Sequence, residues 1–350
     1  MKRALGDKPM RLGLGLLVAT LGGMLAKAVG LPLPWVLGAM ICIAALALTS
    51  GTEQRQPPSW RRIAQIVIGL ALGLFFTPTV LNQTMALAPW IVLGALSALG
   101  LSFLAAPVFQ RLANTDGATA IYSVALGASA EMVLQAQRAG ADGASVASAH
   151  ATRIIVVTSA ASLLASMLGQ SLSASTPNTS VIPALQLTLL FSLAGVAAWT
   201  LHKFRLPNPW LLGPLVIGGL FAGTLGTGRL PESLIIVAQI LIGWALGQNI
   251  TRAFFVRAPR LLFSAVMVTL GILSVCLMLA AVISNGASLP LMTSFIALVP
   301  GGIAEMGVIA KAFGLGAPIV TAFHVTRIIA TIFMTQSLSR WMLSSGWVRH

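Results

Sequence analysis

Apolar residues run through this chain in long blocks, at about 10–28, 33–50, 62–81, 87–110, 117–137, 143–170, 183–201, 208–226, 233–250, 260–284, 290–310 and 316–343. Strict apolar/polar alternation is missing from them. They are also longer than the roughly ten residues of a barrel strand. Most approach the roughly 20 residues that an apolar helix needs to cross a bilayer. The pattern predicts an all-α membrane protein. Helix breakers sit in the connectors: Pro57-Pro58, Pro89, Asn114 to Gly117, Pro177-Asn178, Pro231, Pro259 and Asn285-Gly286. No connector has room for a soluble domain. Residues 1–30 begin with Lys2, Arg3, Lys8 and Arg11 and then turn apolar, the outline of a signal peptide. Further apolar runs follow at once, so this segment reads as a retained first membrane helix.

The strongest pattern is an internal repeat. Leu31-Pro32-x-Pro34-Trp35-x-Leu37-Gly38 returns as Leu206-Pro207-x-Pro209-Trp210-x-Leu212-Gly213, 175 residues later. Gln65-Ile66-x-Ile68-Gly69-x-Ala71-Leu72-Gly73 returns after 174 residues as Gln239-Ile240-x-Ile242-Gly243-x-Ala245-Leu246-Gly247. At the same offset, Gly127 with Ala130-Glu131-Met132 returns as Gly301 with Ala304-Glu305-Met306. His150-x-Thr152-Arg153-Ile154-Ile155 likewise returns as His324-x-Thr326-Arg327-Ile328-Ile329. Four blocks in one order divide the chain into an N-terminal membrane repeat, 1–175, and a C-terminal one, 176–350.

Positive charge concentrates on the cytoplasmic side of membrane proteins. If all twelve runs span, with the N-terminus inside, Lys and Arg divide 11 inside to 8 outside. If the fifth run of each half, 117–137 and 290–310, enters and leaves on one side, the division becomes 16 to 3, with Arg153 and Arg327 inside apolar runs. Homologous loops agree: 82–88 carries no basic residue and 251–260 carries three, whereas 51–62 carries three and 227–232 carries one. The expected fold is two inverted-topology repeats, each of about five transmembrane helices plus one broken or re-entrant segment, with both termini cytoplasmic. A break elsewhere, for example at Leu31 to Trp35, also gives an odd count. Candidate break residues are Gly127 in the first half and Pro300, Gly301 and Gly302 in the second. Proline removes a backbone donor and glycine lowers helical preference. Without proline, the first half is expected to break less sharply. Gly13, Gly15, Gly218 and Gly219 read as close-packing positions.

Composition sharpens this picture. Of 350 residues, 57% are apolar and 8% charged, with a mean hydropathy of +0.92. A soluble domain carries about 25% charged residues, so a water-soluble enzyme, a disordered chain and a nucleic-acid-binding module are excluded. The net charge of +14 is scattered between apolar runs and reports orientation in a bilayer. Cys42 and Cys276 lie far apart in apolar runs and read as small hydrophobes. No metal ligand set, cofactor motif, Walker A loop or nucleophile elbow stands out.

Among seven acidic residues only Glu131 and Glu305 lie well inside apolar runs, and they are repeat-equivalent. The last run of each half adds His150 and Arg153, or His324 and Arg327, three apart and so on one helix face; Thr152 and Thr326 sit between them. An ionisable group at the membrane centre costs about 2.5–3.5 kcal/mol on insertion scales and marks a functional site by default. Two readings compete. In one, Glu131 pairs with Arg153 and Glu305 with Arg327, purely to pin each broken segment. In the other, the arginines offer planar donors to an anion, and Glu or His exchanges a proton. For each histidine alone, a neutral hydrogen-bonded role is favoured. Trp35 and Trp210 read as interface anchors.

These paired motifs resemble a bacterial membrane family, the AbrB duplication proteins, over essentially the whole chain. The first half departs from the usual Pro-Gly-Gly, reading Leu126-Gly127-Ala128. The resemblance brings two labels, regulator of gene expression and ammonia monooxygenase, with transport suspected. Four histidines, two of them (His202 and His350) near the ends of predicted spans or of the chain, do not make a copper or iron site. No basic recognition helix stands apart from the membrane runs. The expectation is an inner-membrane secondary transporter, not an enzyme, for a small organic solute, an anion among the candidates, coupled to ions or protons. The alternative is a membrane sensor that binds without transporting. Expected partners are the bilayer and the solute, not nucleic acid, with a homo-oligomer left open.

Overall fold

The computed structural model describes the chain apart from residues 1, 32, 51–54, 127–128, 169–179, 207, 227, 251–258, 346–347 and 349–350. At 2–8, 129–131, 134, 332–333 and 336 it describes the backbone alone. The described residues form helices α1 (Lys2–Ala28), α2 (Pro34–Ser50), α3 (Pro58–Gly73), α4 (Pro78–Ala86), α5 (Ala88–Ala113), α6 (Gly117–Val124), α7 (Ser129–Arg138) and α8 (Gly143–Met167). There follow α9 (Ala184–Lys203), α10 (Pro209–Thr224), α11 (Glu232–Gly247), α12 (Pro259–Ala287), α13 (Leu291–Leu298), α14 (Ile303–Ala312) and α15 (Ala317–Ser344). Five of the described helices are long and apolar enough to cross a membrane. Large apolar side chains stand exposed on them, Leu17 and Leu25 on α1 and Leu185, Leu193 and Val196 on α9. Such faces suit hydrocarbon rather than water.

The expected segment 62–81 is not one helix. It ends at Gly73, and after Phe75 to Thr77 the chain restarts at Pro78 as α4. The fifth run of each half is indeed interrupted, as α6 then α7 and as α13 then α14. Ala125 closes α6 at φ −56°, ψ 139°, and Val299 closes α13 at φ −60°, ψ 145°. The closing residue has the same extended backbone in both, although a proline follows only in the second.

Two compact units divide the chain, residues 1–78 with 166–256 and residues 79–165 with 257–350. This division differs from the two sequence halves, because each unit draws helices from both.

The first unit holds α1 to α3 and their repeat counterparts α9 to α11. Packing crosses the repeat: α3 lies on α10, and α11 lies on α2. Glycines permit it. A Cβ at Gly69 or Gly73 would strike the Leu211 or Leu215 carbonyl, and one at Gly243 or Gly247 the Val36 or Met40 carbonyl. Small residues on membrane helices allow this backbone-to-backbone approach. Gly15 packs under the Trp244 indole and Gly218 against the Leu70 carbonyl, whereas Gly219 has only ordinary contacts and Gly13 faces open space. The interior centres on fully buried Trp244, edge-on to Trp60 at 5.6 Å, with Ala19, Ala39, Ile43 and Ile240. Lys27 lies over Trp35 at 6.0 Å and Arg62 over Trp210 at 5.1 Å.

The second unit holds α5 to α8 and α12 to α15. The long α5 packs on α12 and α15, and the short α13 and α14 lie against α15. Gly94 admits the Phe323 ring and Gly286 the Trp90 ring. Asp116 starts α6 by accepting the Thr119 N–H at 2.8 Å. Asp142 precedes α8 and accepts from the Ala144 N–H at 2.9 Å and the Ser145 hydroxyl at 2.6 Å. Those bonds, Ser145 foremost, hold the Asp142 carboxyl below its ordinary range.

Candidate functional site

A helix ends with unpaired carbonyls, and in an apolar interior water cannot satisfy them. At both breaks of the second unit an arginine does so. From α8, Arg153 Nη1 donates to the Val124 and Ala125 carbonyls, each at 3.0 Å. From α15, Arg327 Nη1 donates to the Val299 carbonyl at 2.7 Å and Nη2 to the Gly301 carbonyl at 2.8 Å. Around Pro300 the Gly301 N–H also reaches the Val299 carbonyl, at 2.8 Å. Each guanidinium places a full positive charge where the half-helix dipole is negative. In the first half, where no proline follows, Arg153 engages the carbonyls exposed where α6 stops.

The histidines hold the arginines. His150 Nε2 meets the Tyr122 carbonyl at 2.8 Å and its Nδ1 meets Arg153 Nη2 at 2.9 Å. His324 Nε2 meets the Ile296 carbonyl at 3.0 Å and its Nδ1 meets Arg327 Nη2 at 2.8 Å. A carbonyl only accepts and a guanidinium only donates, so these partners assign both rings as neutral, with the proton on Nε2. A second proton, on Nδ1, would face a guanidinium. This is the neutral, hydrogen-bonded arrangement favoured for each histidine alone, with each ring set against its arginine.

All four side chains are buried: His150 and His324 are 0% exposed, Arg153 5% and Arg327 4%. Among the described residues no carboxylate pairs with either arginine. Glu305, 8% exposed, instead sits in the first turn of α14 and folds over Gly302, where a Cβ would collide with its carboxylate. In place of the Glu305–Arg327 pair that one of the two readings required, Arg327 meets helix-end carbonyls. Glu131 lies on α7, but its side chain is outside the described residues, as is Gly127. Thr152 turns to its own helix, donating to the Ser148 carbonyl at 2.9 Å. Thr326 is half-buried and has no hydrogen bond to this cluster.

A family model described as transition state regulatory protein AbrB matches residues 35–343. The chain belongs to the AbrB family. Two relatives of similar length align with it. The uncharacterized protein YhjN of Bacillus subtilis (strain 168) is 25% identical over 343 residues, covering 90% of this chain and 88% of that protein. A protein of Escherichia coli (strain K12), whose name calls it a regulator, AbrB, is 28% identical over 319 residues, covering 90% and 91%.

In this AbrB-family chain three further contacts escaped the reading of motifs. Thr331 Oγ1 donates to the Leu126 carbonyl at 3.0 Å, so α15 touches both breaks, its own partner's through Arg327 and the other half's through Thr331. Its position one turn after Arg327 was the available signal. The chain's single tyrosine, Tyr122, lies 3.2 Å from the Ser339 hydroxyl, again joining α6 to α15. Cys276 lies in this region too, its Sγ 3.8 Å from the Leu298 carbonyl.

Proposed function

We propose that this chain is an inner-membrane secondary transporter of a small organic solute, built as two repeats of inverted topology with both termini cytoplasmic. One observation carries the reading: a matched pair of interrupted helices, each break holding a buried guanidinium on its carbonyls. Paired broken helices in corresponding positions of two repeats are the pointer to a transporter's binding site. Irregular backbone at membrane depth is tolerated where it meets protein or lines a wet cavity. The 16 to 3 division of basic residues supports the inverted arrangement.

In this reading Arg153 and Arg327 hold the two breaks and face the solute, His150 and His324 orient them, and Glu131 and Glu305 exchange the coupling proton. Comparing metabolites of cells with and without the protein selects a solute, and flux in proteoliposomes tests it. Glu305→Gln is expected to remove the stimulation of flux by a pH gradient. Unchanged flux in a folded protein neutralised at Glu131, Glu305, Arg153 and Arg327 would end the site assignment. A second reading has one observation in its favour, the regulator names of the family and of the Escherichia coli relative. A sensor would bind a ligand and show no flux. Either reading takes the chain as non-enzymatic, and metal analysis of purified protein bears on the monooxygenase label.

A further inference from the structure

Each guanidinium carries five N–H donors. Arg153 commits three, to the Val124 carbonyl, the Ala125 carbonyl and His150 Nδ1. Arg327 also commits three, to the Val299 carbonyl, the Gly301 carbonyl and His324 Nδ1. Two donors remain on each. In both residues Nε is among them, buried and without a hydrogen-bond partner. Buried orphan donors are rare in native proteins and ask for a specific explanation, and these two occupy repeat-equivalent positions.

Charge points the same way. Both guanidiniums are buried inside the second unit. They are tied through the first break. Arg153 binds the Ala125 carbonyl, the next carbonyl, Leu126, receives Thr331, and Thr331 Oγ1 also lies 2.7 Å from the Arg327 carbonyl. A half-helix C-terminus contributes only about half a negative charge. Two such ends leave roughly one positive charge uncompensated by carbonyls, and among the described residues no carboxylate bonds to either arginine. Buried charge of this kind is expensive unless paired. On the two short helices that stop at the breaks, the Ser123 and Ser294 hydroxyls are likewise buried without partners.

We propose that the ligand of the second unit is an oxyanion, a carboxylate or phosphate group, bound by the remaining donors of Arg153 and Arg327, the two Nε–H groups above all. The anion supplies the missing negative charge and the missing acceptors together. A cation or a neutral apolar solute supplies neither. This rests on the proposed function for the location of the site, not for the movement of the solute.

The test is thermal unfolding of the full-length protein in detergent, at constant ionic strength set with chloride. The probes are malonate and inorganic phosphate, against malonamide and 1,3-diaminopropane as neutral and cationic counterparts. A saturable rise in Tm with malonate or phosphate, and none with the other two, is expected; which anion acts separates the carboxylate from the phosphate source. Arg153→Lys and Arg327→Lys keep the charge but remove Nε–H, and each is expected to raise the half-saturating anion concentration at least tenfold. If the lysine variants fail to fold, the wild-type comparison still decides. No rise with either anion, or an equal rise with malonamide, overturns the proposal. So does unchanged anion affinity in both folded lysine variants. Anion stabilisation without flux in proteoliposomes keeps this site and removes transport. Flux of a neutral solute without anion stabilisation does the reverse.

Discussion

Replacing Arg327 with methionine tests the claim that arginine, rather than sequence-local breakers, holds the second break. The substitution keeps most of the side-chain volume and removes the charge and three hydrogen bonds of 2.7–2.8 Å. The Val299 carbonyl retains the Gly301 N–H. The Gly301 carbonyl and His324 Nδ1 lose the partners described above, at about 1–3 kcal/mol for each stranded buried group. Loss of the positive charge at the α13 C-terminus adds up to about 2 kcal/mol in a buried setting. Against this, methionine no longer has to be desolvated as a cation. The net of these contributions is about 3–5 kcal/mol. For a unit of this size, about 2–4 °C per kcal/mol converts that to a fall in Tm of roughly 10 °C. The assay is thermal unfolding in detergent, with Arg138→Met on the exposed end of α7 as control. Hydrogen exchange should rise at residues 299–306 and stay near wild type around Ala125. Arg153→Met should reverse that pattern. An Arg327→Met protein that unfolds within about 2 °C of wild type, with exchange unchanged at the break, would refute the reasoning.

Thr331→Val keeps the shape and removes the bond to the Leu126 carbonyl; about 1 kcal/mol should be lost, with faster exchange at the first break and not the second. Gly243→Ala drives a Cβ into the Val36 carbonyl and should cost about 1–3 kcal/mol as overpacking. Gly13→Ala, in open space on α1, should be neutral or slightly stabilising; equal Tm values for these two variants would count against the packing described for the first unit. The Asp142 carboxyl is held below its ordinary range by Ser145 and by backbone N–H groups. Because its folded pKa is depressed, its contribution is present above the unfolded value near 3.8 and is lost as pH falls through the folded one. Asp142→Asn should therefore flatten the fall of Tm below about pH 4, and an unaltered acid profile would show that this cap contributes nothing.

Much of the second unit could be read along the chain. Interrupted runs at 117–137 and 290–310 were visible because glycine, proline and an isolated carboxylate disturb otherwise uniform apolar blocks. That His150, Arg153, His324 and Arg327 need buried partners was visible because ionisable groups are costly in such blocks and because they recur after 174 residues. Their partners were not visible. Pairing each arginine with a glutamate was natural, since only side chains appear as letters. The acceptors are backbone carbonyls, which every residue possesses, and they become special only where a helix stops.

The division into compact units was hidden for a related reason. Four recurring blocks mark two halves of the sequence, and nothing in them announces that α3 prefers α10 or that α11 prefers α2. That choice is made by glycine stripes meeting backbone carbonyls of the other half, a matter of surface shape in three dimensions. Alone, the sequence determined that the chain is helical and apolar, duplicated, interrupted in the fifth run of each half, and burdened with matched ionisable residues, because each property is a pattern of composition and spacing. Tertiary structure decided which atoms pay the cost of those charges. Hydrogen-bond acceptance by a carbonyl depends on whether its own helix has already used it, and that is known only once the helices have ended and packed.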